Sequence, residues 1–170
     1  MRKRIQLFLW LACLTVNATV SFGQAQPTTP PPTLEQRLGR NWVSVQKKIL
    51  DMAKDLPDAK YDFRPTPESR SFRQEFWHMI ASNQYMLSLL KGEKVDTQKL
   101  FSDEGKPAAR ADIIAQLESS GKEVSTLLKS KFDGRIVGML EHAAEHYGKL
   151  VVMFRLNGIV PPVSRTQPGS

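Results

Sequence analysis

Cysteine is almost absent from this chain: Cys13 is the only one in 170 residues. That excludes a disulfide framework and any cysteine-based zinc site. No glycine-rich phosphate loop is present, which removes the nucleotide-binding folds built on one. No serine sits in a recognisable nucleophile motif. No segment alternates polar and apolar residues with the period of two that strands require. Basic stripes with interleaved aromatics are also missing, so no nucleic-acid partner is expected. Neither sign of charge dominates: 24 basic side chains face 17 acidic ones, a net +7. With 41% hydrophobic residues the composition is that of a folded globular protein, and the length suits one domain.

The first 25 residues differ from the rest. Arg2, Lys3 and Arg4 precede a charge-free run over residues 5–20, and the small residues Ser21, Gly23 and Ala25 follow. This is the three-part order of a secretory signal peptide, with cleavage after Gly23 or Ala25. The apolar run is interrupted by Thr15, Asn17 and Thr19 and is shorter than the roughly 20 residues a membrane span needs. A cleaved leader is therefore expected rather than an anchor, with a periplasmic or secreted location and no membrane partner afterwards. The leader takes three basic residues, no acid and Cys13 with it, leaving 21 basic against 17 acidic. A cysteine-free remainder suits an oxidising compartment.

Residues 26–33 hold Pro27, Pro30, Pro31 and Pro32 and read as an extended linker. Thr33 followed by Gln36 is a capping-box pattern. From there Leu34, Leu38, Trp42, Val45, Ile49, Met52, Ala53 and Leu56 recur at three and four, one stripe of an amphipathic helix ended by Pro57. A second helix starts near Ser69 or Ser71 and runs to Leu90, its stripe formed by Phe72, Phe76, Met79, Ile80, Met86 and Leu87. Residues 92–107 read as a polar loop. A third helix covers about 108–132, with Gly121 a weak point that would kink it. Asp133-Gly134 breaks the chain, and a fourth helix runs from about 135 to 156, stopped by Asn157-Gly158. The expectation is an all-α four-helix bundle over residues 34–160, followed by a polar tail over 161–170.

Histidine supplies the sharpest pattern, because there are three in all: His78, His142 and His146. His142 and His146 are one helical turn apart, so both imidazoles can reach one ion, and His78 on another helix can complete a set of three. Neutral imidazole suits zinc, nickel, copper or iron, and three protein ligands leave a coordination position open. At about 100° per residue, His142 and His146 lie about 90–130° to one side of their helix's apolar stripe, and His78 about 130° to the same side of its own. All three therefore stand on a shoulder where two helices can form a groove. The alternative is that shoulder histidines are solvated surface residues.

Glu145, between the two histidines, and Glu141, just before the first, are candidates to accept an imidazole N–H or to act as general base, and Glu75, one turn before His78, is a candidate to accept an imidazole N–H. Helix geometry turns Glu145 and Glu141 towards solvent. Asn83 falls inside an apolar stripe and must find a partner, by orienting a ligand or through a buried structural hydrogen bond. Tyr85 shares the shoulder of His78 and is a groove candidate. Arg73, Lys149 and Arg155 read as solvated.

The stretch from Phe63-Arg64-Pro65 to Ser71-Phe72, followed by His78-Met79-Ile80, resembles the second-helix signature of the DinB-like family. The stretch His142-Ala143-Ala144-Glu145-His146-Tyr147, followed by Arg155-Leu156-Asn157-Gly158 and Pro161-Pro162, does so too. The resemblance covers residues 34–164. It implies a four-helix bundle in which His78, His142 and His146 hold a divalent ion, zinc or nickel. It also implies a metal-dependent hydrolase of a small-molecule substrate, and homodimers are common among such relatives. Two alternatives stand beside that reading: a non-enzymatic periplasmic bundle with a binding or stress-related role, and a thiol-dependent S-transferase. The leader fits the S-transferase poorly, because low-molecular-weight thiols are cytoplasmic.

Overall fold

A computed structural model describes residues 30–102 and 108–165. The expected leader, the first half of the linker and the end of the tail lie outside those residues. The described residues from 32 onward form one compact unit. The described residues hold five helices and two 3-10 turns, and no strand occurs among them. No helix among them is long and apolar enough to cross a membrane.

Helix α1 (Leu34–Asp55) opens on a complete capping box. Gln36 N donates to Thr33 Oγ1 at 3.2 Å, and Thr33 N donates to Gln36 Oε1 at 3.0 Å, so two N–H groups at the helix start are satisfied. Leu56, forced out of the helical region by Pro57, closes it. Helix α2 (Phe72–Lys91) repeats the device with Ser71 and Gln74, and ends on Gly92 in the left-handed region at φ 76°. Between them, Tyr61 is buried and donates its hydroxyl to Ala53 O at 2.7 Å, tying the proline-rich connection to α1.

The expected loop over 92–107 is not all loop: it contains helix α3 (Thr97–Ser102). Asp96 Oδ1 accepts from Lys99 N at 3.0 Å and so satisfies a donor of the first turn. Six residues are too few for a hydrophobic period to show, which is why the pattern reads as loop. Helix α4 (Arg110–Ser130) runs unbroken through Gly121. The glycine serves a close approach instead of a kink. A Cβ there would meet Gln46 Oε1 at 3.2 Å, and Trp42 Nε1 of α1 donates to the Gly121 carbonyl at 3.4 Å. Helix α5 (Ile136–Leu156) ends at Asn157, with Gly158 at φ 71° just beyond. The first part of the expected tail folds back: Pro161 is buried, and Arg165 Nη1 donates to Asp55 Oδ1 at 2.8 Å.

Packing places α2 against α4 and α5, and α1 against α4 and α5. One core cluster gathers Ile49, Met52, Tyr61, Phe72, Phe76, Met79 and Phe154; a second gathers Trp42, Met86, Leu90, Val124 and Ile136. Phe72 meets Phe154 edge-on at 5.5 Å between ring centroids, which fixes α5 against the start of α2. That contact sets the helix pair on which the histidines stand.

Candidate metal centre

His78 comes from α2, His142 and His146 from successive turns of α5. The sequence separates His78 from His142 by 64 residues, yet their Nε2 atoms are 3.0 Å apart, so one ring donates to the other. Ring centroids lie 5.1 Å apart for His78–His142, 4.6 Å for His78–His146 and 4.5 Å for His142–His146. One nitrogen from each ring falls within 4.8 Å of the other two. An ion at about 2.0–2.1 Å from each nitrogen would close that spacing with small side-chain shifts. His78 keeps 9% of its surface exposed, whereas the other two are half-buried, so the cluster stands at the rim of the core. Phe101 of α3 packs over His78 at 5.3 Å between centroids.

Glu75 is wholly buried beside them. Its Oε2 lies 2.7 Å from His146 Nδ1, and its Oε1 accepts from Lys149 Nζ. Burial opposes its ionisation, but the hydrogen bonds from His146 and Lys149 outweigh that and hold its pKa at about 2. The pKa of His142 is lowered as well, but here burial is the leading cause and not the opposing one. Burial first, then the charges of His146, His78 and Arg70, lower its pKa to about 4. It is therefore neutral near pH 7, the form that can ligate a metal.

The donor set fits a divalent transition-metal ion. Three imidazoles converge without thiolate or carboxylate among them, a set that suits zinc, nickel, copper or iron and not the oxygen-seeking calcium or magnesium. The buried Nδ1 of His142 has no hydrogen-bond partner. Its partner nitrogen, Nε2, faces His78, so this ring is committed to the interior of the cluster.

The remaining candidates fall elsewhere. Asn83 is fully buried but not at the site: its Nδ2 donates to Gln46 Oε1 at 3.0 Å and to Ser120 Oγ at 3.1 Å, joining α2 to α1 and α4. Tyr85 lies two turns of α2 beyond His78, on the side of Arg135, whose pKa is raised first by its hydrogen bonding to Asp133 and last by Tyr85. Glu145 and Glu141 are exposed. Lys149 is not simply solvated, because it pairs with Glu75, and Arg73 is held by Asp62 Oδ1 at 2.8 Å and by the Ala108 carbonyl. Phe101 and Arg70 carry no site signal in the sequence, and Lys149 reads there as solvated. Lys149 sits three residues after His146, a spacing that puts both on one face, and that was the available signal.

The family described as the DinB superfamily matches residues 41–150, about two thirds of the chain. The chain belongs to the DinB superfamily. The matched DinB-superfamily segment includes all three histidines, Glu75 and Lys149. No curated protein and no solved structure matches the chain.

Proposed function

We propose that this DinB-superfamily chain is an exported metal-dependent hydrolase of a small-molecule substrate. The observation that carries the reading is the convergence of His78, His142 and His146, one nitrogen from each within 4.8 Å of the others. Export is inferred from the basic, apolar and small-residue order of the first 25 residues.

A divalent ion held there would supply Lewis-acid chemistry, acidifying water and polarising an electrophilic substrate. The chain's own residues prepare for it. His78, His142 and His146 would hold the ion and leave the remaining coordination to solvent or substrate. Glu75 accepts the Nδ1 proton of His146, which turns the Nε2 lone pair of that ring away from the carboxylate. Phe101 covers His78 with an apolar ring and keeps water off that side of the cluster.

The test is elemental analysis of protein purified without a polyhistidine tag, beside the His142→Ala/His146→Ala double variant. About one ion per chain in the wild type and none in the variant is the expected result for a three-histidine site. No ion in either, even after incubation with zinc, nickel and manganese, overturns the reading. With the ion established, hydrolysis of ester, amide and phosphoester substrates should disappear on chelation and return on adding the metal back. A metal-loaded protein that hydrolyses none of them, with or without an added thiol, would instead be a binding protein.

A further inference from the structure

We infer that Glu75 and Lys149 form the positioning pair of the three-histidine site. Glu75 holds the Nδ1 proton of His146 so that Nε2 is the ligating atom, and Lys149 holds Glu75. The inference rests on the metal-site reading above and extends it to residues that touch no ion.

Glu75 is the one acidic side chain completely buried among the described residues, and both its oxygens are committed across the α2–α5 interface. A carboxylate removed from water needs partners for its charge. Here the partners are a prospective ligand and a lysine from the next turn of the same helix. Imidazole has two nitrogens, and a hydrogen bond from one to a carboxylate fixes which one remains free as a donor to a metal. Lys149 occupies the second oxygen, so the carboxylate plane cannot turn away from His146. Its own side chain stays 40% exposed, which makes it the outer end of the arrangement.

The three rings are consequently unequal. His146 has an anionic partner at 2.7 Å, whereas the Nδ1 of His142 has no hydrogen-bond partner at all. A purely architectural role for Glu75, tying α2 to α5, would not depend on which nitrogen of His146 carries the proton. The positioning role does.

The experiment uses the full chain with zinc as the probe, comparing wild type, Glu75→Gln and Lys149→Met. Zinc affinity is measured by competition with a chromophoric chelator. The tautomer of His146 in the metal-free protein is read from long-range nitrogen–proton NMR at a pH where the imidazoles are neutral. Wild type should bind zinc and carry the His146 proton on Nδ1. Glu75→Gln should bind zinc about 10–100-fold more weakly, the usual loss when a ligand's hydrogen-bond partner is removed. It should also show a mixture of tautomers. Lys149→Met, checked for folding by circular dichroism because it leaves Glu75 with one partner fewer, should shift both readouts in the same direction by a smaller amount. It carries the test alone if Glu75→Gln does not fold. Wild-type affinity and an unchanged tautomer in folded variants would overturn the positioning role while leaving the metal site standing. A wild type that binds no zinc would instead overturn the metal-site reading itself.

Discussion

His142 and Glu75 occupy one site but respond to acid in different windows. His142 has a pKa of about 4 in the folded protein against an ordinary value of 6.5. The unfolded chain therefore binds its proton first, and metal-free protein loses stability as pH falls from about 6.5 towards 4. Glu75 has a pKa of about 2 against an ordinary 4.5, so its contribution is complete above about 4.5 and disappears as pH falls through about 2. Each is worth on the order of 1–3 kcal/mol. Melting temperature against pH should accordingly fall through two successive windows, with His142→Gln flattening the upper one and Glu75→Gln the lower. A single transition unaffected by either variant would contradict this. Asn83 makes a contrasting case. Asn83→Ala removes a buried bridge among three helices and should cost about 1–3 kcal/mol in melting experiments. Bound metal per folded chain should stay the same, because the bridge lies outside the histidine cluster.

Among the elements, α3 is the least committed to the core: none of its six residues is buried, yet Phe101 reaches over His78. Phe101→Ala should leave the melting temperature of metal-free protein nearly unchanged, within the roughly 0.5 kcal/mol usual for surface changes. It should also speed removal of the ion by a chelator several-fold. Equal removal rates would show that the ring covers nothing of consequence. The long helices could be read from the sequence because each carries enough turns for a stripe to recur and because Thr33–Gln36 marks a beginning that needs no tertiary information. α3 could not, since it has fewer than two turns. Gly121 misled for a different reason. Taken locally, it weakens a helix, but its role is fixed by Gln46 and Trp42 on another element, which only the packed structure brings near. The same division runs through the site. His142 and His146 declare themselves by spacing on one helix, whereas the carboxylate of Glu75 meets His146 across 71 residues of sequence. No local pattern encodes that encounter.

For the whole molecule, a ligand that binds only the folded state adds to its stability. Zinc at a hundred times its dissociation constant should raise stability by about 2.7 kcal/mol. The His142→Ala/His146→Ala variant should show no such rise, and thermal melting with and without zinc measures both. Wild-type protein that melts identically under the two conditions would mean that no ion is bound in the native state.

The separation of His78 from His142 also has a consequence for biosynthesis. A chain that has emerged only as far as α4 owns one of the three imidazoles and none of the geometry. Capture of an ion must therefore wait until α5 has been made and docked onto α2. Whichever compartment hosts that last docking step supplies the ion. If the leader directs passage of an unfolded chain through a membrane, the metal inventory of the cytoplasm never meets a finished site. The choice of ion then belongs to the far side.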